Sequence, residues 1–238
     1  YAWFIWSLII LGIWFIIYLG GPDVRKEMLT TSWWTMPIGL TEPLFVPEYW
    51  NPPSLFDLAQ KTGFDIESLI FSFAIGGIGS VLYNLLTKNK LIPLGEMEKM
   101  NRRHDFHGYI IFVPALVFLL MVVFTSLNHI YCGTASLFAG GVAALWCRPD
   151  LKMKIWVGAI LFTLLYFIYF STLNMAYPFY VDQVWNKDAI SGMLVFEIPL
   201  EEYLFAFTFG MFWSSLYEHM RWYKIIKTNN IQNAHESM

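Results

Sequence analysis

The chain has 238 residues, of which 57% are hydrophobic, 19% aromatic and 14% charged. Soluble globular proteins carry about 25% charged residues, so this composition excludes an ordinary soluble domain and indicates a polytopic membrane protein. The formal net charge of −3 provides no basic surface for nucleic acid, and we expect no nucleic-acid partner.

Apolar runs of about 20 residues predict seven membrane-spanning helices. The predicted spans lie near 1–20, 28–46, 64–87, 107–127, 128–146, 154–177 and 199–221. The first run has no basic leading segment and no small-residue cleavage site, so we interpret it as a span and not as a signal peptide. Pro37, Pro43 and Pro47 interrupt the second run, which membrane helices tolerate where neighbouring groups satisfy the freed carbonyls. The polar segment NNIQNAHESM at the end of the chain is predicted to be disordered.

The basic residues sort to one side of these spans. All of the 15 Lys and Arg residues except Lys61 and Lys187 follow spans one, three, five and seven. By the positive-inside rule, the N-terminus then lies outside and the C-terminus lies in the cytoplasm. We expect a multi-pass protein of the cell inner membrane that is surrounded by membrane lipids.

Two segments of the chain recur after about 135 residues. PLFVPEYWN (43–51) aligns with PFYVDQVWN (178–186), and ESLIFSFAIGGIGSVLYN (67–84) aligns with EEYLFAFTFGMFWSSLYE (201–218). The recurrence predicts an all-α membrane protein with two parallel three-helix repeats joined by a linker helix, an arrangement that often encloses a shared site. The predicted units are a first repeat at 1–105, the linker helix at 106–127, a second repeat at 128–222 and a polar cytoplasmic tail at 223–238.

Two adjacent carboxylates, Glu201 and Glu202, begin the last apolar run. Acidic residues in the first turn of a helix complement its dipole, and Pro199 suits the start of a helix, so a simple helix start is one interpretation. The other is an acid–base pair in an apolar cleft, with one glutamate protonated and the other ionised. The repeat places Glu67 at the same depth as Glu201, and Glu42 belongs to the same layer.

The assembled motifs carry a family resemblance. The chain resembles the small membrane lycopene cyclases of the heterodimeric or fused carotenoid-cyclase type. That family repeats a three-helix unit with Trp and Asn-Pro in a loop, then a Pro-x-Glu-Glu motif that opens an aromatic helix ending in Tyr-Glu. The second half of this chain offers Trp185, Asn186, Pro199, Glu201, Glu202, Phe205, Tyr217 and Glu218 for this pattern. The first half offers Trp50, Asn51, Pro52, Glu67, Phe71, Tyr83 and Asn84.

The resemblance implies a redox-neutral reaction that needs no cofactor. A linear carotene end group would gain a proton, close into a ring and lose a proton, with a carotenoid or similar isoprenoid as the substrate. The implied catalytic residues are Glu201, Glu202 and Glu67, and Glu42 is a further catalytic candidate because it belongs to the same layer. The implied substrate-binding residues are Pro199, Trp50, Trp185, Asn51, Asn186, Phe205 and Phe71.

The first half departs from the family pattern. Asp65 stands where the motif has Pro, and Ser68 stands where it has the second acid; in the second half, Lys187 follows Asn186 in place of Pro. Either the first half is catalytically weaker or the protein acts on another apolar substrate. Both alternatives stay open, as does a homo- or hetero-oligomeric state.

Other functions fit parts of the same pattern. A non-catalytic membrane subunit, or a small carrier or binder of an isoprenoid lipid, would also suit two parallel repeats. Spans three and seven contain few ionisable groups. This scarcity favours an apolar pocket with acids at one end, and hence the enzyme. A retinal protein is disfavoured because the last span, 199–221, contains no lysine.

The histidines and cysteines give a weak metal signal. His104 and His107 lie three residues apart, with Asp105 between them, which fits a surface metal site. A solvated helix start is the simpler interpretation, and we predict no metal. Cys132 and Cys147 are 15 residues apart on one predicted helix, too far to pair, and are predicted to be thiols packed in the membrane.

Overall fold

The computed structural model describes residues 1–226 and is mostly helical (76%). The α-helices are α1 (Ala2–Gly20), α2 (Arg25–Thr35), α3 (Leu58–Thr62), α4 (Ile66–Thr87), α5 (Glu96–Lys99), α6 (Val113–Phe124), α7 (His129–Cys147), α8 (Lys152–Ala176), α9 (Tyr180–Val184), α10 (Leu200–Trp213) and α11 (Leu216–Arg221). The segment NNIQNAHESM, predicted to be disordered, lies outside the described residues.

Two small antiparallel sheets accompany the helices. Strand β1 (Lys90–Pro93) pairs with β4 (Tyr223–Ile226), and strand β2 (Leu194–Val195) pairs with β3 (Ile198–Pro199). The first pair ties the segment after α4 to the segment after α11, so the predicted polar tail at 223–238 begins in a strand. These strands are two to four residues long and lie outside the long apolar runs, so no periodic pattern in the sequence marks them.

Five helical segments are long and apolar enough to cross a membrane. They are Ala2–Gly20, Ile66–Thr87, Arg102–Phe124, His129–Cys147 and Pro149–Ala176. These segments match predicted spans one, three, four, five and six. They identify the chain as a mostly helical protein that fits a membrane setting, because helices satisfy their backbone polar groups internally.

The two other predicted spans differ from long helices. The span at 28–46 lies on α2 followed by a 3-10 helix at Met36–Leu44, where Pro37 and Pro43 lack the N–H groups that an α-helix needs. The span at 199–221 is divided between α10 and α11 at Ser214 and Ser215. Neither segment reaches the length of a candidate span, so the count of seven remains a prediction.

Helix α6 presents apolar side chains on all its faces. No residue of α6 is buried, and Leu116, Leu119, Val123 and Phe124 are 57%, 60%, 63% and 78% exposed. Large contiguous apolar surfaces are rare on proteins in water and mark contact with a partner or a membrane. The exposed apolar surface of α6 fits a membrane setting.

Helix α4 lies at the centre of the bundle, in contact with α1, α2, α8 and α10. Its approach to α2 depends on Gly76, where an added Cβ would lie 1.9 Å from Thr35 Oγ1. The Thr35 hydroxyl is held in place, because it donates to the carbonyl of Thr31 (2.6 Å) and accepts from Trp213 Nε1 (2.6 Å). The close contact between the two helices therefore requires glycine at this position.

Gly76→Ala is expected to lower the free energy of unfolding by about 1–3 kcal/mol, because the added methyl group forces Thr35 away from its partners. Thermal unfolding of the purified protein in detergent would measure the change. Gly12→Ala is the matched control, since a Cβ on Gly12 of α1 meets nothing within 4 Å. Equal melting temperatures for the two variants would contradict the packing argument.

Candidate active site

Glu202, in the first turn of α10, is buried and accepts hydrogen bonds from three side chains. Tyr49 Oη (2.5 Å) and Trp185 Nε1 (3.0 Å) donate to its Oε1, and Tyr166 Oη (3.0 Å) donates to its Oε2. Burial raises the pKa of the Tyr49 phenol well above its usual range, and the nearby Glu202 carboxylate raises it further, so this donor keeps its proton. Three donors favour the ionised form of this carboxyl group, and burial opposes it.

Glu201 faces a different set of partners, although it is the preceding residue. Its Oε1 accepts from Tyr131 Oη (2.7 Å), at the start of α7, and from the backbone N–H of Ser191 (3.0 Å). Its Oε2 is buried and has no hydrogen-bond partner. Successive residues of an α-helix point about 100° apart, so the two carboxylates lie on different faces of α10. Among the described residues, no hydrogen bond joins them.

Glu67, in the first turn of α4, repeats the environment of Glu201. Its Oε1 accepts from the backbone N–H of Leu55 (2.7 Å), in the loop before its own helix, and its Oε2 is buried without a partner. Both glutamates therefore have one oxygen held by a loop N–H and one oxygen free to carry a proton. The two positions are those that the 134-residue shift aligns.

Glu42 and Asp65 lie near Glu67. Glu42, in the 3-10 helix at Met36–Leu44, is 7% exposed, has an unpartnered Oε1, and lies within electrostatic reach of Asp65 and Glu67. Asp65 is the N-cap of α4: its Oδ1 accepts from the Ser68 N–H (2.5 Å), and its Oδ2 accepts from Trp3 Nε1 (3.3 Å). Three carboxyl groups thus gather beside α4, where the sequence motif had suggested only one acid.

The two Trp-Asn loops join each other above the acids. Trp50 and Trp185 form an isolated antiparallel bridge, with their rings 5.3 Å apart between centroids. The N–H of Asn51 donates to Val184 O (2.8 Å), and the N–H of Asn186 donates to Tyr49 O (2.9 Å). The Trp side chains are buried at the site, whereas both Asn residues are exposed; the Asn186 side chain donates to Glu48 O (3.2 Å) and that of Asn51 accepts from Gln60 Nε2 (3.5 Å).

The predicted aromatic residues converge on Tyr166. The Tyr166 ring lies 6.2 Å from Phe71 and 5.9 Å from Phe205, measured between centroids. Each phenylalanine follows a glutamate by one helical turn, Phe71 after Glu67 and Phe205 after Glu201. Pro199 ends β3 and caps α10, so it orients the helix that carries Glu201 and Glu202.

Sequence reasoning missed the tyrosines that hold the acids. Tyr49, Tyr131 and Tyr166 are separated from their glutamate partners by 153, 70 and 36 residues. No local sequence pattern marks Tyr131 or Tyr166. Tyr49 is the one with a sequence signal, because it directly precedes the Trp50–Asn51 motif.

A second buried polar cluster lies at the other end of the bundle. Lys154 Nζ donates to Glu27 Oε1 (2.7 Å) and Glu218 Oε1 (2.5 Å), and Asn84 Nδ2 donates to Glu27 Oε2 (3.0 Å) and Glu218 Oε1 (3.2 Å). Asn84 follows Glu67 by 17 residues of α4, which is roughly 25 Å along the axis. Glu218, part of the Tyr-Glu motif, therefore belongs to this ion-pair cluster and is remote from Glu201 and Glu202.

The same end of the bundle brings possible metal ligands together. One ligand atom each from His104, His107 and Cys147 lies within 4.8 Å of the others. His107 is 6% exposed, so its predicted position at a solvated helix start is wrong: its ring packs against those of His219 and Trp222. Cys132 and Cys147 are both buried free thiols of α7, as expected from their spacing.

Comparison with known proteins adds one finding. A family model described as lycopene cyclase matches residues 128–220, the part of the chain that runs from the start of α7 into α11. No match was found among the curated proteins or among the solved structures. The matched residues include Tyr131, Tyr166, Trp185, Glu201 and Glu202. Through this segment, the chain is similar to the lycopene cyclase family.

Proposed function

We propose that the protein cyclises the end groups of a linear carotenoid such as lycopene by acid–base catalysis. The single observation that carries the proposal is the contrast between two adjacent buried acids in the segment matched by the family model. Glu202 accepts hydrogen bonds on both oxygens, whereas Glu201 has one oxygen with no partner. A proton donor and a negative charge on neighbouring faces of one helix, in an aromatic environment, suit a reaction through a carbocation.

In this mechanism Glu201 is the general acid. A proton on its free Oε2 passes to a terminal double bond of the substrate, and the resulting cation is attacked by a neighbouring double bond, which closes the ring. The Glu201 carboxylate then takes up a ring proton, which restores a neutral product and the starting acid, so no electrons are gained or lost. The ionised Glu202 and the faces of Tyr166, Phe205 and Trp185 stabilise the cation.

Glu67 is proposed as the corresponding acid of the first half. Its unpartnered Oε2 and its loop N–H contact match those of Glu201. Ser68 replaces the second acid there, and Asp65 and Glu42 are the nearby carboxyl groups. A bicyclic product would fit two working halves, and a monocyclic product would fit one.

We further propose the architecture of two parallel three-helix repeats with seven spans and the linker helix between them. The reciprocal backbone bonds between the Trp50 and Trp185 loops support a pseudo-two-fold relation, because Asn51 pairs with Val184 as Asn186 pairs with Tyr49. The hydrogen bond between Asn84 and Glu218 also joins positions 134 residues apart. In this arrangement the N-terminus lies outside and the C-terminus in the cytoplasm.

Expression in cells that accumulate lycopene tests the proposed function. Pigments would be extracted and separated by chromatography, with membrane insertion of the protein verified on the same cells. Cyclic carotenes are the expected products. Unchanged lycopene in cells that hold the folded protein would favour a non-catalytic subunit or a carrier of an isoprenoid lipid.

Tyr49→Phe tests the role of the donors around Glu202. A hydrogen bond to a charged group contributes about 1.5–3 kcal/mol. Its loss is therefore expected to slow cyclisation by roughly 10- to 150-fold. The initial rate of product formation in isolated membranes is the measurement. Tyr109→Phe, at a tyrosine that is 70% exposed, is the control and should retain the full rate. An unchanged rate for Tyr49→Phe would remove this hydrogen bond from the mechanism.

A further inference from the structure

We propose that His104, His107 and Cys147 form a binding site for a thiophilic divalent cation, with Zn²⁺ as the metal that this donor set prefers. Two imidazoles and one thiolate are typical zinc ligands, and three protein ligands leave a fourth position for water. The site lies at the end of the bundle opposite Glu201 and Glu202. It is separate from the proposed cyclisation chemistry.

The two sulfur–nitrogen separations fit tetrahedral coordination. Cys147 Sγ lies 3.5 Å from His104 Nδ1 and 3.4 Å from His107 Nδ1. Zinc–nitrogen bonds of about 2.0 Å and zinc–sulfur bonds of about 2.3 Å place N and S roughly 3.5 Å apart at tetrahedral angles. The three atoms lie within 4.8 Å of one another, and rotation of the His104 side chain would bring the two ring nitrogens to the roughly 3.3 Å that one tetrahedral ion requires.

The tautomer of His107 is already the one that a metal requires. Its Nε2 lies 2.7 Å from the carbonyl oxygen of His219, which accepts hydrogen bonds and cannot donate. Nε2 therefore carries the proton, and Nδ1 presents a lone pair toward Cys147. Metal-bound histidines commonly donate their second N–H to a backbone carbonyl in this way, which fixes the ring orientation.

Neighbouring rings hold His107 in place. The His107 ring stacks on His219 at 3.9 Å and on Trp222 at 3.6 Å, measured between centroids. The ring Nε2–H of His219 in turn donates to the backbone carbonyl of His107 (3.1 Å). A ligand that is ordered before the metal arrives loses little conformational freedom on binding.

The local charges are compatible with a cation. Arg148 follows Cys147 directly, but its guanidinium donates to both carboxylate oxygens of Asp150 (2.9 and 2.6 Å), which neutralises it. A metal-bound thiolate adds a negative charge of its own. Asp105, between the two histidines, adds another.

The proposed ion would fasten the connector between the two halves. His104 and His107 lie in the 3-10 helices Arg102–His104 and His107–Phe112, which precede α6, and Cys147 is the last residue of α7. One metal would close the segment formed by α6 and α7 at its base. It would also fix the backbone near α11 through His219.

The test uses purified protein that carries Cys132→Ser, so that Cys147 is the only thiol in the chain. Metal content after incubation with Zn²⁺ and removal of free metal should be about one per chain. Replacement by Co²⁺ should produce the visible bands of a tetrahedral ion and a near-ultraviolet thiolate-to-cobalt band. In this background the thiolate band has only one possible source.

Three site variants and one control complete the test. Cys147→Ser should abolish the thiolate band, and His104→Gln and His107→Gln should weaken cobalt binding by more than about 100-fold. His129→Gln, which removes a histidine paired with Glu48 elsewhere, should leave binding unchanged. Folding of each variant would be verified by helical circular dichroism. If Cys147 only forms S–H···N hydrogen bonds with the histidines, the folded Cys132→Ser protein will bind no metal and show no thiolate-to-cobalt band. Absence of bound metal, or absence of that band, would overturn the proposal.

Discussion

Glu201→Gln is expected to lower the rate of carotenoid cyclisation by about 10²–10⁴-fold, the usual contribution of a general acid. The amide keeps the contacts of Oε1, since its carbonyl accepts from Tyr131 and from the Ser191 N–H as the carboxylate does. The NH₂ group takes the place of Oε2, which accepts no hydrogen bond in the parent protein, so no contact is lost at this position. The change therefore removes the transferable proton with little effect on the fold.

Rates of product formation in membranes from lycopene-accumulating cells would measure the effect, normalised to the amount of inserted protein. Glu197→Gln is the matched control, because Glu197 lies in the same part of the chain but is exposed. It should retain the rate of the parent protein. If Glu201→Gln retained the parent rate as well, Glu201 would not be the acid.

Lys154→Met is expected to lower the free energy of unfolding by about 3–5 kcal/mol, the usual cost of breaking a buried ion pair from one side. Lys154 is 1% exposed and pairs with two acids, Glu27 at 2.7 Å and Glu218 at 2.5 Å. Methionine fills a similar volume but leaves both carboxyl groups without their cation. The penalty therefore comes from electrostatics and not from a cavity.

Unfolding by denaturing detergent, followed by circular dichroism, would measure this loss. Lys152→Met removes an exposed lysine two residues earlier and should change stability by less than about 0.5 kcal/mol. Glu218→Gln combined with Lys154→Met should recover part of the loss, because one of the stranded charges is gone. Equal stabilities for Lys154→Met and Lys152→Met would show that the buried cluster contributes nothing.

The long helices could be predicted from sequence because their signal is local. Helix α1 follows the predicted span at 1–20 almost residue for residue, since nothing interrupts its apolar run. The span at 28–46 was less well predicted because proline changes the hydrogen-bonding pattern of its second half. Ser214 and Ser215, which divide α10 from α11, do not indicate a helix break in the sequence as proline does.

The candidate site could be predicted only in part, because only its local motifs leave a signal in the sequence. The motifs identified Glu201, Glu202, Glu67 and Trp185, because they recur or lie together in the sequence. Glu202 takes its donors from Tyr49, Trp185 and Tyr166, which packing alone brings together. Lys154 was counted among the basic residues at a membrane surface, yet it is buried in an ion-pair cluster. Side-chain partners across the bundle depend on tertiary structure, which periodicity does not encode.

Cyclisation of lycopene in deuterium oxide, by the purified protein in lipid vesicles, tests the central claim most directly. Proton transfer from Glu201, which exchanges with solvent, predicts one deuterium on the ring carbon for each ring formed, with no oxidant or reductant added. Mass spectrometry of the separated products would count the label. Cyclic product without deuterium would contradict the acid–base mechanism, and folded protein that leaves lycopene unchanged would contradict the proposed function.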